Sequence, residues 1–256
     1  MNSRLILTLL TLFFLSGCSI FGNDKDTKKL VADGLTPKEL YEQAEDKVDA
    51  GSIEQAIDQY ETILSSYPGS KYAVQARLDI AYNLLKQKKY NRSIITLNQF
   101  IDKYPDIPAT PYAYYLRGVA AEKKSSSILD KIVTDSAQRD VESIRDAYDY
   151  FVELIEDFPD SKYSDDAKDK LVTLRNTLAR HEFYVAIYYT DISSNIAALN
   201  RCKFIIENYP NSASIPDALH LMAYNYDIIN ADQLALDVRT ILTSSYPNYS
   251  PNYSIK

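Results

Sequence analysis

Histidine occurs twice in the 256 residues, cysteine twice and glycine six times, and each scarcity removes a class of function. His181 and His220 lie far apart in sequence, and no His or Cys pair stands at ligand spacing, which argues against a structural metal site. A serine, threonine or cysteine nucleophile would need a positioned base, and no motif around either histidine supplies one. So few glycines leave no phosphate-cradling loop. Basic residues form no block, and the net charge of −7 becomes −8 if Arg4 is removed with a leader, so phosphate-backbone binding and nucleic-acid partners are excluded. With no metal motif and no nucleotide loop, no cofactor is expected. Glu156-Asp157 and Asp165-Asp166 are adjacent acids whose side chains point in different directions on a helix, and they read as solvated faces rather than as catalytic carboxylates. The chain reads as a non-enzyme.

The first stretch of sequence is a targeting segment. Met1 to Arg4 carries one charge, Leu5 to Leu15 is a mostly apolar run, and Leu15-Ser16-Gly17-Cys18 closes it. The run is shorter than the ~20 apolar residues of a spanning helix and fits a secretory signal. The closing tetrad resembles the lipobox of bacterial lipoproteins, which implies that residues 1–17 are a signal peptide and that Cys18 is the site of lipid attachment. Ser19, in place of an aspartate, implies the periplasmic face of the outer membrane. Residues 18–35 contain few large apolar side chains and read as a tether. With Cys18 acylated, Cys202 has no partner for a disulfide and reads as a small apolar side chain on a helix.

Beyond the tether the chain repeats. Thr36-Pro37-Lys38-Glu39 carries three helix-start signals at once, namely a cap, a proline at the first helical position and a capping-box glutamate. Ser52 with Gln55 and Asn230 with Gln233 read as further capping boxes, and Thr110-Pro111 and Ser214-Ile215-Pro216 as capped starts. Aromatic-proline pairs stand at Tyr67-Pro68, Tyr104-Pro105, Phe158-Pro159, Tyr209-Pro210 and Tyr246-Pro247, with prolines 37, 54, 51 and 37 residues apart. Proline stops a helix, and the aromatic before it can wedge between neighbouring hairpins. A period near ~34 residues is that of tetratricopeptide repeats. The predicted fold is all-α, a tetratricopeptide-like solenoid of five helix-turn-helix repeats, in which hairpins bury by stacking what none can bury alone. Repeats 1–2 fall in residues 36–110, repeat 3 with an insertion loop in 111–164, repeats 4–5 in 165–247, and a tail in 248–256. The insertion lies between Glu122 and Ala147, with a short helix expected near Ile128 to Thr134. No Gly or Pro occurs between Pro159 and Pro210, so long helices are expected there, one of them from about Asp165 to Tyr189. Tyr112, Tyr114 and Tyr115 crowd the start of repeat 3, where an amphipathic helix would turn one or two of them outward as contact residues.

Several strings carry a family resemblance. They are Leu40-Tyr41 with Ala44, Gly51 and Gln55-Ala56-Ile57; Tyr114-Tyr115-Leu116-Arg117-Gly118; Asp160-Ser161-Lys162-Tyr163; and Leu178-Ala179-Arg180-His181-Glu182-Phe183-Tyr184-Val185-Ala186-Ile187-Tyr188-Tyr189. The chain resembles the BamD family of lipoproteins, which serve the machinery that inserts β-barrels into the outer membrane. His181 stands where that family usually has an aromatic, and Asp191 to Asn195 lacks a glycine often found before the following helix. The resemblance implies a scaffold. Its C-terminal repeats would dock on a BamA-like barrel assembly protein, with Arg180, Glu182 and Arg201 placed at the contact. N-terminal repeats would hold unfolded outer-membrane proteins in a groove lined by Tyr72, Tyr82, Asn83 and Tyr114, and accessory lipoproteins would pack alongside. Two other classes stay open: a periplasmic tetratricopeptide adapter of a Tol or division system, and a peptidoglycan-cleaving superhelical lipoprotein that zymography would reveal. Replacement of the acyl-accepting residue, Cys18→Ala, is expected to yield a soluble protein with unchanged helical circular dichroism; loss of folding would show that the anchor was misread.

Overall fold

The computed structural model describes residues 34–125 and 141–255. The signal peptide, Cys18 and the expected helix at Ile128 to Thr134 lie outside them. Among the described residues there are ten helices and no strand: α1 (Pro37–Asp49), α2 (Ile53–Ser66), α3 (Lys71–Lys86), α4 (Tyr90–Lys103), α5 (Thr110–Ser125), α6 (Val141–Asp157), α7 (Ser164–Asp191), α8 (Asn195–Asn208), α9 (Ile215–Ile228) and α10 (Asp232–Ser245). No described helix is long and apolar enough to cross a membrane. The helices pair in order into five hairpins, so the all-α repeat fold read from the sequence is the fold found. Two compact units divide the chain, one ending at Ala76 and one starting at Arg77.

At the start of α1 the sequence signals act as anticipated. The Thr36 hydroxyl accepts from the Glu39 N–H at 3.3 Å, and the Glu39 carboxylate accepts from the Thr36 N–H at 2.8 Å. The Thr36 hydroxyl also donates to that carboxylate at 2.7 Å, and the two bonds the carboxylate accepts from Thr36, the backbone one most strongly, hold the Glu39 carboxyl below its ordinary range. Leu40 and Ala44 of α1 are buried, as are Ala56, Ile57, Tyr60 and Ile63 of α2. Gln59 donates to Gln43 at 2.6 Å across the pair, and the Tyr67 hydroxyl donates to the Leu35 carbonyl at 2.8 Å.

The turn inside each described hairpin connection is one backbone device. Gly51, Lys88, Ser193 and Asn230 take φ of 76°, 61°, 58° and 57°. The residue after each of them donates to a carbonyl five residues back: Ser52 to Lys47 at 2.8 Å, Lys89 to Leu84 at 2.9 Å, Ser194 to Tyr189 at 2.8 Å and Ala231 to Tyr226 at 2.9 Å. This is the Schellman closure, which satisfies carbonyls a helix end leaves open. The capping boxes read at Ser52 and Asn230 do not form. Ser52 has ψ of 56° rather than the extended value a cap needs, and Asn230 is itself the left-handed residue, one position before the Ala231 cap. Ser193 supplies at the α7–α8 turn the geometry for which glycine is usual.

Connections between hairpins use the aromatic-proline pair. Tyr67, Tyr104, Phe158, Tyr209 and Tyr246 each donate their N–H to the carbonyl four residues back, at 2.8–3.0 Å. The Thr110 and Ser164 hydroxyls then donate back to the carbonyls of Tyr104 and Phe158, at 2.5 and 2.7 Å. Thr110 is therefore a clasp on the preceding turn rather than the cap read from sequence, and Ser214 likewise makes no side-chain cap.

In the second unit α6 begins at Val141, ahead of the Ala147 boundary read from sequence, because Ile144, Ala147, Phe151 and Leu154 continue one buried stripe. Gly118 lets α5 approach it: a methyl at that position would lie 2.6 Å from Cε1 of Phe151. Helix α7 runs the expected length without a break. Left-handed backbone costs an L-residue ~1–2 kcal/mol, and glycine returns part of that gain as unfolded-state entropy. Ser193→Gly is therefore expected to raise stability by about 0.5–1 kcal/mol in urea denaturation, and Gly51→Ala to lower it by about 1 kcal/mol.

Candidate functional site

Helices α6, α7 and α8 meet at one carboxylate. Glu182 is 5% exposed, although it sits in a helix rich in polar residues. Its Oε2 accepts from Arg201 Nη1 at 2.9 Å, and Arg145 Nη2 of α6 lies 3.9 Å from Oε1. The two guanidinium side chains remain 48% and 42% exposed, Arg145 and Arg201 respectively, so the acid is inside and the bases reach outward. Nearby, Tyr209 of the fourth aromatic-proline pair packs edge-on against Phe204, centroids 5.8 Å apart. Burial raises the Tyr209 hydroxyl, with Arg145 opposing.

Arg201 also lines an open cleft of about 320 Å³ with Tyr189, Ala197, Asn200 and Phe204. One cation, one amide and two aromatic rings form a surface suited to an acidic side chain flanked by apolar contact. Exposed apolar residues continue beside it: Tyr188 and Ile196 are each 60% exposed and Ile192 51%.

The structure separates the three residues read together from sequence. Glu182 and Arg201 are bonded, whereas Arg180, two positions before Glu182 and therefore ~200° round the helix, is exposed. Glu182 is thus corrected from a docking contact to the buried group that positions Arg201. Arg145, Tyr189, Asn200 and Phe204 were not singled out in the sequence. Tyr189 does stand in the string that carries the family resemblance, but nothing local marks Arg145.

The groove residues divide as well. In the first unit Tyr72 is half-buried, its ring 5.5 Å from Tyr41, with Lys71 Nζ 5.2 Å from its centroid. In the second unit Tyr82 is 37% exposed, with Lys86 Nζ 4.8 Å from its ring. Asn83 is buried and donates to the Asp79 carbonyl at 2.8 Å, so it lines no open surface; it stays within its own helix. Tyr114 is packing: the Arg117 guanidinium lies 4.8 Å from its ring centroid, and Phe158 meets it edge-on at 5.3 Å. Arg117, buried and bonded to Glu153 and Asn98, also lies 4.2 Å from the Tyr150 ring. Tyr112 and Tyr115 both stack against Tyr163, at 5.3 and 5.2 Å, and the Tyr115 hydroxyl donates to Asp166 at 2.7 Å. Cys202 is fully buried, and burial pushes its thiol up to about 12.

Among the described residues no group of three or more His, Cys, Asp and Glu side chains is arranged to hold a metal ion.

Comparison with known proteins decides the family. Residues 33–240 match the profile of the YfiO family, described as outer membrane lipoproteins. The chain belongs to this family. Its relatives include the outer membrane protein assembly factor BamD of Neisseria gonorrhoeae, 33% identical over 95% of this chain and 91% of that protein. BamD of Xylella fastidiosa strain 9a5c is 30% identical over 96% of this chain and 82% of that one. BamD of Vibrio cholerae is 27% identical over 85% and 88%. The YfiO match takes in the α6–α8 cluster, the cleft and both candidate tyrosines.

Truncating the buried acid, Glu182→Ala, removes the carboxylate that Arg201 donates to and leaves a gap among α6, α7 and α8, and is expected to cost about 1–3 kcal/mol in urea denaturation. Glu207→Ala, which removes only an exposed i,i+4 pair with Lys203, is the control and should stay within about 0.5 kcal/mol of the parent.

Proposed function

We propose that the chain is a scaffold lipoprotein of the machinery that assembles β-barrels in the outer membrane, anchored through Cys18 at the periplasmic face. Its residues would recognise other proteins and catalyse nothing. The observation that carries this reading is end-to-end similarity to proteins named outer membrane protein assembly factor, 33% identical across 95% of the chain in one case.

The residues support a division of labour. Repeats 4–5, residues 165–247, dock on the BamA-like barrel assembly protein at the cleft where Arg201 stands beside Tyr189 and Phe204. Glu182 takes one guanidinium donor and holds the side chain in place, which lowers the entropy lost when a partner carboxylate takes up the others. Arg180 belongs to a second, separate contact on the same helix. Repeats 1–2, residues 36–110, engage segments of unfolded outer-membrane proteins through rings such as Tyr72 and Tyr82, amphipathic groups that contribute large contact area with few rotatable bonds. The tether of residues 18–35 joins these repeats to the lipid, and accessory lipoproteins occupy other faces.

Arg201→Gln keeps a hydrogen bond to Glu182 and removes the charge. Co-purification with the barrel assembly protein from detergent-solubilised membranes is expected to fall about tenfold, or ~1.4 kcal/mol, with far-UV circular dichroism unchanged. Unaltered co-purification would remove Arg201 from the contact.

A further inference from the structure

Residues 247–254 are a duplicated tetrapeptide, Pro247-Asn248-Tyr249-Ser250 followed by Pro251-Asn252-Tyr253-Ser254. The duplication places two tyrosines in the same register, four residues apart. The segment turns at the end of α10, where the Tyr249 N–H donates to the Tyr246 carbonyl at 3.0 Å. It then runs back over α9 and α7, two helices that touch each other directly, with no helix or strand of its own after the turn.

Both tyrosines are held by side chains. The Tyr249 hydroxyl donates to Asp217 Oδ1 at 2.6 Å, and the Tyr253 hydroxyl lies 2.7 Å from His220 Nδ1. Asp217 and His220 stand three apart on α9 and therefore share a face. The Tyr253 ring also meets the buried Phe183 of α7 edge-on, centroids 4.9 Å apart at 85°, and the His220 ring lies 5.9 and 5.8 Å from the two tyrosine rings. Between these anchors Ser250, Pro251 and Asn252 are exposed. The contact is thus two aromatic anchors joined by an uncharged spacer, on a receptor face of one acid, one imidazole and one apolar ring.

That division resembles the way a repeat protein binds an extended peptide, with side-chain pockets spaced along the segment. We propose that the face of α7 and α9 is a peptide-recognition site, filled in cis by the chain's own tail and open in trans to an uncharged, extended segment carrying tyrosines four residues apart. Covalent attachment to α10 gives the tail an effective concentration in the millimolar range, so a free segment competes poorly until the tail leaves. Segments held by a few side chains, without helix or strand of their own, are also among the first parts of a fold to open.

The test uses a fluorescent peptide with the sequence of residues 247–256. The chain shortened to end at Pro247 is expected to bind it at least tenfold more tightly than the full-length protein, as read by fluorescence anisotropy. Replacing both tyrosines of the peptide by alanine, or His220→Ala in the shortened chain, should abolish the signal. If the shortened chain loses helicity, the full-length variant with Tyr249→Ser and Tyr253→Ser, whose tail is released but still attached, takes its place. A folded variant that fails to bind the peptide overturns the proposal; so does loss of helicity in both variants, which would make the tail part of the fold.

Discussion

The hairpin turn with one left-handed residue is the constraint on which the rest of this architecture depends. Its backbone closure fixes where the first helix stops and the second begins in four of the hairpins, at Gly51, Lys88, Ser193 and Asn230. The apolar stripes of the two helices then face each other in a set register. Because the bonds are made by backbone, the turn tolerates glycine, lysine, serine and asparagine alike, and side chains there are left to vary. The aromatic-proline pair does the complementary task between hairpins: its carbonyl is where Thr110 and Ser164 return their hydroxyls.

From those two devices the chemistry of the surface follows. Register places Glu182 of α7 between a base on α6 and another on α8, so a carboxylate that could not be buried alone is buried in company. Burial of the acid is what leaves Arg201 half-exposed and oriented at the cleft. A change in how α6 or α8 sits against α7 would therefore be felt at the cleft through a single shared group.

Much of this was legible in the amino-acid sequence, and the part that was not has a physical reason. Helix positions follow from the spacing of Leu40, Ala44, Ile57 and Tyr60 and from the five aromatic-proline pairs, because burial and proline sterics act locally. Ser52, Thr110, Ser214 and Asn230 misled because residue type reports what a side chain is able to do, while the turn dictated backbone angles incompatible with capping. Arg201 was legible as a base that its helix exposes. Glu182 and Asn83 were assigned to surfaces they do not line, since which face of a long polar helix is buried depends on neighbours distant in sequence. Arg145, 37 residues from its carboxylate partner, has no local signature at all.

Cys202 shows what burial means for the life of such a molecule. Its thiol is enclosed by α8 and its neighbours and is held far from the thiolate form, so oxidants meet an inert side chain while the fourth hairpin is closed. Opening that hairpin exposes the thiol and returns it to ordinary reactivity. Under oxidising conditions chemical damage therefore falls selectively on copies that have lost their packing, and the properly packed population is spared.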